Sequence, residues 1–276
     1  MLLSIDFCND ISIAAKGKNM KITVLLENTT SDERLLCRHG LSLFIEACGK
    51  KILFDMGQSD TFLENAGKLG IDLDKADLAV LSHGHYDHGG GLPAFLSINK
   101  KAPVYINKDA FMPHFNGTEK YIGLDTSALF NPQIIFTDSE VSICSGAVLY
   151  PAAENITGKF SDAGLTVFEN GEYRAEDFRH EQYLEICENG KKVLFSGCSH
   201  RGITNIVKKF TPDVFVGGFH LSKCDIGTEL CEYADFLEAF PTEYFTCHCT
   251  GEAQYEFLNG NMHRLHYIRT GDVIVL

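Results

Sequence analysis

Three histidines and an aspartate lie within the six residues HGHYDH, at positions 83–88. Imidazole and carboxylate groups are ligands of zinc, iron and manganese, and an incompletely coordinated ion also leaves room for water. His83 and His85 are two residues apart, so an extended backbone points both rings to the same side, where they can bind one ion. Asp87 and His88 follow at a turn before a glycine triplet, within reach of a second ion. The segment therefore predicts a metal centre of one or two ions.

Other histidines also follow predicted strands. The apolar run at 77–81 predicts a buried strand, and residues 82–88 form the loop that leaves it. His200 and His220 come just after two further predicted strands. Because ligands of layered α/β folds collect at the carboxyl ends of strands, we expect these side chains to meet at one site.

The periodicity of apolar residues predicts an α/β layered domain. Runs rich in Val, Ile and Phe predict strands at 41–47, 51–55, 77–81, 183–187, 192–196, 213–217 and 264–275. Stretches of helical period lie at 60–69, 91–98, 201–210, 227–239 and 251–258. The irregular segments 107–133 and 148–180 are expected to cover the site. Met20 begins another strand-like run, so we expect residues 1–19 to be an extension or added strand and residues 20–276 to form one domain.

Composition limits the partners that this chain can have. Its 276 residues are 45% hydrophobic and carry a formal net charge of -13. An acidic surface repels nucleic acid and anionic membranes, so a small-molecule substrate is expected instead. No apolar run approaches the roughly 20 residues of a membrane span, and the ten cysteines are scattered in a way that suits reduced thiols. These features predict a cytoplasmic protein and leave its oligomeric state open.

Residues 82–88, SHGHYDH, resemble the His-x-His-x-Asp-His signature of the metallo-β-lactamase superfamily. Residues 52–57, ILFDMG, are similar to the family's strand ending in Asp-x-Gly, whose aspartate, here Asp55, supports the metal loop from behind. The resemblance extends from Met20 to the C-terminus. It implies a four-layer αββα sandwich and a metal-dependent hydrolase.

The resemblance also implies a histidine before a strand, an acidic or cysteine ligand at the strand's end, and a histidine near the C-terminus. His180, Cys198 and His248 occupy these places. His200 competes with His180 as the third histidine, because it belongs to the more distinctive motif SGCSHRGI at 196–203. The implied metal ligands are His83, His85, Asp87, His88, His180, Cys198, His200 and His248. Cysteine bridges two ions less readily than the aspartate of many relatives, so the second ion is expected to bind more weakly.

A narrower resemblance involves residues 196–203, 217–221 and 248–251. They look like the branch of this superfamily that contains dihydropterin-ribofuranosylaminobenzene-phosphate synthase, most of whose members are known only as metal-dependent hydrolases. This resemblance indicates a subfamily and leaves the substrate open.

The expected reaction is hydrolysis. Zinc is the expected cofactor, with iron or manganese as alternatives, because such ions lower the pKa of bound water. Asp87 would hold that water and take its proton. His220 is expected to take part in catalysis beside Asp87 and to contact the substrate, unless it only caps a strand. Residues 199–202 are expected to begin a helix whose N-terminus, with Arg201, binds an anionic ester or phosphoester, although Arg201 could instead be a solvated surface residue.

Two rival functions use the same residues. One is a di-iron redox enzyme on this fold, and the other is a ligand-binding or sensory protein without turnover. Structural roles are expected for His39 and His114, and Cys247 and Cys249 are expected to be ordinary thiols.

Overall fold

The computed structural model describes residues 19–152, 156 and 164–276. Its strands are β1 (Lys21–Leu26), β2 (Ser42–Ala47), β3 (Lys50–Phe54), β4 (Leu78–Val80), β5 (Val104–Asn107), β6 (His114–Asn116), β7 (Lys120–Tyr121), β8 (Ile134–Thr137), β9 (Val141–Cys144), β10 (Ala147–Pro151), β11 (Leu165–Glu169), β12 (Glu172–Ala175), β13 (Gln182–Glu188), β14 (Lys191–Phe195), β15 (Val214–Val216), β16 (Glu243–Thr246), β17 (Leu265–Tyr267) and β18 (Val273–Val275). Its α-helices span Thr61–Lys68, Tyr86–Gly89, Leu92–Ile98, Ile203–Phe210, Thr228–Glu238 and Glu252–Asn259.

Most of these strands form two sheets of seven, in the orders β18-β1-β2-β3-β4-β5-β8 and β17-β16-β15-β14-β13-β10-β9. In the first sheet the run from β3 to β8 is parallel, and in the second the run from β14 to β17 is parallel. Parallel strands end at one edge of a sheet, so the loops that follow them are gathered there. This topology creates the place where side chains from distant segments can meet.

The two sheets pack face to face around one apolar layer. Alternation along β3 turns Ile52 and Phe54 into this layer, where Val193 and Phe195 of β14 join them. The rings of Phe54 and Phe195 lie 5.9 Å apart between centroids. Strands buried on both faces have little polar alternation, which explains the apolar runs in the sequence.

Helices cover the outer face of each sheet. On the first sheet, Phe62 and Phe95 of two helices pack against outward residues of the strands. On the second, Ile206 and Leu237 do the same. The predicted four-layer αββα sandwich is therefore confirmed.

Two predicted elements need correction. The run 264–275 is split between β17 and β18, which lie in different sheets. Gly271, with φ of 98°, provides the turn before β18. The helix expected from residues 199–202 begins instead at Ile203, because Ser199 and Gly202 have φ values of 59° and 88°, which a right-handed helix does not allow.

The segments that were expected to be irregular cover contain a small antiparallel sheet, ordered β12-β11-β6-β7. Its strands are two to five residues long, too short for a clear period-2 signal. Apart from Asn19, the prediction for residues 1–19 falls outside the described part of the chain. No helix among the described residues is both long and apolar enough to cross a bilayer.

We expect Phe195→Ala to lower the free energy of unfolding by about 3–5 kcal/mol, because it leaves a cavity between the two sheets. The matched control is Phe130→Ala, since Phe130 is 90% exposed and its loss should change stability by less than about 0.5 kcal/mol. Urea unfolding followed by circular dichroism measures both. Equal effects of the two substitutions would contradict this account of the core.

Candidate metal centre

Asp55 is a fully buried carboxylate directly after β3. Its Oδ1 accepts a hydrogen bond from the main-chain N–H of Ser82 at 2.7 Å. Its Oδ2 accepts from the Ser82 hydroxyl and pairs with His88 Nδ1, both at 2.7 Å. One aspartate thus fixes both ends of the segment that carries the predicted ligands, which is the support from behind that the family resemblance implied.

Four predicted ligands converge beside this aspartate, and we call Asp87, His88, Cys198 and His248 the four-donor cluster. In its neutral form the His88 ring donates through Nδ1 and has a lone pair on Nε2, although Asp55 and Asp87 outweigh burial and raise the pKa of this ring. His88 Nε2 lies 3.1 Å from Cys198 Sγ and 3.2 Å from His248 Nε2. His248 Nδ1 pairs with Asn28 Oδ1 at 2.9 Å, which leaves its Nε2 as a second lone pair. Asp87 Oδ2 is 3.2 Å from His248 Nε2 and 3.9 Å from His88 Nε2.

The electrostatics of this cluster favour ionised Asp87. Burial opposes its ionisation, but His88, His248 and His39 outweigh burial and hold the pKa of Asp87 well below its usual value. The Cys198 thiol behaves in the opposite way, because burial and the adjacent Cys249 raise its pKa well above the usual value. A bound cation reverses such a shift by replacing the thiol proton. The Cys198 thiol therefore keeps its proton unless a cation replaces it.

His83, His85 and His200 form a second group, the three-histidine cluster, whose donor atoms lie within 4.8 Å of one another. Burial lowers the pKa of all three rings well below the usual value, so they are neutral, as metal ligands must be. His83 Nδ1 is 2.8 Å from the Ser82 hydroxyl, which already donates to Asp55. His83 therefore donates through Nδ1, and its buried Nε2 has no hydrogen-bond partner among the described residues.

His180 lies in a different group. With His114 and Glu176 it forms what we call the outer cluster, and all three pack against His85 with donor atoms within 4.8 Å of one another. His180 Nδ1 accepts a hydrogen bond from the main-chain N–H of Gly84 at 2.8 Å. The structure thus groups His200 with both His83 and His85, whereas it groups His180 with His85 and not with His83.

Two buried carboxylates position the loops that carry His200 and His248. Glu27, which follows β1, accepts the main-chain N–H of His248 at 2.7 Å. Glu181, which precedes β13, accepts the main-chain N–H groups of His200 and Arg201 at 2.8 and 3.1 Å. Neither role has a local signal in the sequence, because Glu27 is 221 residues from His248 and Glu181 is 19 residues from His200.

Several residues near the centre were not expected there. His39 Nε2 lies 3.1 Å from Asp87 Oδ2, although a structural role was expected for it. The glycine at position 40 is the one feature of the sequence next to His39 that fits this approach. A Cβ on Gly40 would lie 2.3 Å from the main-chain oxygen of Asp87. Cys249, expected to be an ordinary thiol, groups with Cys198 and His248.

Arg201 and His220 were the expected substrate contacts, and of the two only His220 lies in the wall of the cavity. Arg201 is buried and donates through Nη1 and Nη2 to the main-chain oxygens of Asp177 and Ile156. It ties two loops together and does not line the cavity, so its expected position at a helix N-terminus facing a substrate is corrected. His220 does line the cavity, with its ring centroid 4.2 Å from that of His200. Burial and His248 lower the pKa of His220 to about 4.

A cavity of about 460 Å³ opens over the donor side chains. This volume suits a small molecule. The wall includes two cations from separate segments, Lys120 and Lys223, in a chain of strongly negative charge. The predicted site residues that line the cavity are His85, Asp87, Cys198, His200, His220 and His248.

The fold and this donor set define a known class. The model of the metallo-beta-lactamase superfamily matches residues 35–223, and the chain belongs to that superfamily. It is 31% identical to Tm1679, a solved metal-dependent hydrolase of the beta-lactamase superfamily, with a TM-score of 0.81 and coverage of 93% of this chain and 99% of that one.

Two proteins of Methanocaldococcus jannaschii are also similar. One is 7,8-dihydropterin-6-methyl-4-(beta-D-ribofuranosyl)-aminobenzene-5'-phosphate synthase, 28% identical over 94% of this chain and 97% of its own length. The other is an uncharacterized protein, 29% identical over 83% of this chain and 90% of its own. The resemblance to the superfamily, and to the branch containing this synthase, is thereby confirmed.

We expect Asp55→Asn to weaken metal binding roughly 10- to 100-fold, because the amide cannot replace the anionic acceptor that orients His88 and the loop at Ser82. Competition with a chromophoric chelator measures the affinity. Asp213→Asn is the control, since Asp213 Oδ2 accepts a main-chain N–H from Lys192 at 2.8 Å on the exposed surface. Unchanged affinity in Asp55→Asn would show that this carboxylate does not organise the centre.

Proposed function

We propose that this protein is a binuclear metal-dependent hydrolase of a small anionic ester or phosphoester. In this proposal the three-histidine cluster binds one zinc ion and the four-donor cluster binds another, with iron or manganese as alternative metals. The observation that carries the proposal is the 3.2 Å approach of His88 Nε2 and His248 Nε2, both of which present lone pairs. With both rings neutral, two such lone pairs repel each other unless a metal ion or a proton lies between them, and a metal ion can replace that proton.

The spacing of the four-donor cluster supports one ion. Ligands at 2.0–2.3 Å from a tetrahedral zinc ion are separated from one another by roughly 3.3–3.8 Å. The measured separations from His88 Nε2 are 3.1 Å to Cys198 Sγ and 3.9 Å to Asp87 Oδ2, and Asp87 Oδ2 is 3.2 Å from His248 Nε2. The residues fit an ion of this size with shifts of a few tenths of an ångström.

Charge also supports the proposal. The carboxylates of Glu27, Asp55 and Glu181 are fully buried around the centre, and that of Asp87 is nearly so. Buried anions are costly unless they are compensated. The described surroundings offer His88, whose pKa is raised because Asp55 and Asp87 outweigh burial, together with neutral imidazoles and main-chain N–H groups. Divalent cations would offset this charge, so the apo arrangement is the less stable one.

Hydrogen positions favour His200 over His180 as the third histidine. His180 Nδ1 accepts from Gly84, so in the neutral ring the hydrogen is on Nε2, which then has no lone pair for a metal. Both ring nitrogens of His200 are buried without a hydrogen-bond partner in the described part of the chain. We therefore assign His200 to the ion held by His83 and His85.

The proposed chemistry follows from the cavity. Bound metal ions would acidify water and polarise the reacting oxygen of the substrate. Asp87 faces the cavity, and its low pKa keeps it ionised at neutral pH. It would therefore orient the attacking water and accept its proton once bound metal has made that water more acidic. His220, on the same wall, would contact the substrate. Lys120 and Lys223 would attract an anionic group of the substrate. This local positive charge would allow an anionic substrate to enter the cavity of a chain whose net charge is -13.

We expect protein purified without added metal to carry two ions per chain and to hydrolyse at least one substrate in a panel of phosphodiesters, phosphomonoesters, thioesters and lactones. His200→Ala should lose one ion. It should also reduce the rate of hydrolysis by at least roughly 10- to 100-fold, which is the typical effect of removing a residue that only supports a metal ligand. His180→Ala is the matched control, because it should retain both ions. Elemental analysis and initial rates measure these effects. Two irons with oxygen consumption, or loss of the ion from His180→Ala alone, would contradict the proposal.

Lys120→Met should raise KM roughly two- to fivefold for anionic substrates and leave KM for neutral esters unchanged, because an exposed ion pair contributes up to about 1 kcal/mol. Lys191→Met, at the exposed start of β14, is the control. Steady-state kinetics with a matched anionic and neutral pair make the comparison. An equal rise for both substrates would mean that the Lys120 charge does not select anions.

A further inference from the structure

His200 needs something other than a hydrogen bond to orient its ring. Both ring nitrogens are buried without a hydrogen-bond partner in the described part of the chain, whereas the Ser82 hydroxyl lies 2.8 Å from His83 Nδ1 and fixes that ring. An imidazole that rotates about its bond to Cβ turns its lone pair away from the neighbouring donors. Side-chain packing must therefore set the plane of the His200 ring.

Phe178 packs flat against His200. The two ring centroids are 4.4 Å apart and the ring planes differ by 5°. Phe178 is fully buried. His220 also contacts His200, with the centroids 4.2 Å apart, but the two planes are tilted by 52°. Because a parallel contact covers a whole face of the imidazole, Phe178 opposes rotation of the His200 ring more than the tilted contact does.

The backbone holds Phe178 in a conformation that a bulky residue rarely adopts. Its φ is 53°, in the left-handed region. Its N–H donates to Glu176 Oε1 at 3.2 Å, and its carbonyl oxygen accepts from the N–H of Glu181 at 3.0 Å. Such a conformation persists only where the surroundings impose it, and it often marks a functional constraint.

Contacts from two side chains join the turn at Phe178 to the segment that carries His200. Glu181 accepts the main-chain N–H groups of His200 and Arg201 at 2.8 and 3.1 Å. In the opposite direction, Arg201 Nη1 donates to the carbonyl oxygen of Asp177, which belongs to the peptide group before Phe178. The carboxylate and the guanidinium thus hold the two segments together and bring the two rings face to face.

We propose that Phe178 is a positioning residue that fixes the plane of the His200 imidazole, so that this ring presents a nitrogen to the ion bound by His83 and His85. This inference rests on the metal centre of the proposed function. A bound ion would draw electron density from His200, and the face of Phe178 attracts a ring that has become more positive. The stacked pair would therefore be stronger in the metal-bound protein.

A role in packing alone would have a different requirement. Phe178 forms a small apolar cluster with Ile122 and Leu165, both of which line the cavity. Packing needs apolar bulk, much of which leucine supplies, whereas positioning needs a flat ring. Leucine at position 178 therefore separates the two roles.

The test is a zinc titration of the metal-free full chain against a chromophoric chelator, in which His200→Ala identifies the zinc equivalent that His200 binds. Phe178→Leu should weaken that equivalent roughly 10- to 100-fold and leave the other within about twofold. Phe178→Gly should weaken it at least as much, because glycine accepts the left-handed backbone and has no ring. The cobalt(II) absorption spectrum of that equivalent should change in both variants, since it reports the arrangement of the ligands.

The matched control is Phe95→Leu, because Phe95 is equally buried on a helix that covers the outer face of the first sheet. It should lower the melting temperature of the metal-free chain about as much as Phe178→Leu does, and leave both zinc equivalents unchanged. An affinity that either Phe178 variant leaves unchanged would overturn the inference. Equal weakening of both equivalents, or the same weakening in Phe95→Leu, would also overturn it.

Two further outcomes separate this inference from the proposed function. Zinc binding that His200→Ala does not alter would overturn the inference together with the assignment of His200 as a ligand. Selective weakening by both Phe178 variants, in a protein that hydrolyses none of the substrate panel, would support the inference and contradict the proposed hydrolase activity.

Discussion

The hydrogen bond from an imidazole Nδ1 to a nearby side-chain oxygen determines which nitrogen of His88 and of His248 faces the candidate centre. Asp55 fixes His88 in this way, and Asn28 fixes His248. In each case the hydrogen is held at the back of the ring and the Nε2 lone pair points inward. The oxygen acceptors are as important as the histidines, because without them the same rings could rotate or change tautomer and present a hydrogen to the metal.

The rest of the fold serves to bring these acceptors and donors together. Asp55 ends a strand of one sheet, whereas Cys198 and His248 follow strands of the other, so the centre exists only where the two sheets present the ends of their parallel strands side by side. Close backbone contacts set the spacing. Gly40 touches the main chain at Asp87, and Gly84 touches the main chain at Ala110, and neither contact has room for a Cβ. Tight packing of loops therefore substitutes for regular secondary structure at the site itself.

Much of the fold and half of the centre could be predicted because the signals are local. The strands are continuous apolar runs, and residues 83–88 place three histidines and an aspartate in one loop. The sequence left open whether His180 or His200 is the third histidine. Our proposal of His200 depends on the hydrogen bond that His180 accepts from the Gly84 N–H, a contact between residues 96 positions apart.

Other contacts near the site had no local signal in the sequence, for related physical reasons. His114 and Glu176 lie in or beside strands too short for a period to be visible, and their pairing spans 62 residues. Arg201 was expected at a helix N-terminus, but positive φ values before Ile203 delay the helix and turn the guanidinium toward main-chain carbonyls instead. Cys198 was predicted as a softer donor in place of the usual carboxylate, and the structure places its Sγ 3.1 Å from His88 Nε2.

The most direct measurement of the central claim is anomalous diffraction at the zinc edge from crystals of the zinc-loaded protein. Two peaks are predicted. One should lie at about 2.0–2.3 Å from His88 Nε2, His248 Nε2, Asp87 and Cys198 Sγ, and the other at about the same distance from His83, His85 and His200. A single peak, or a peak bonded to His180 with His200 unbound, would contradict the account.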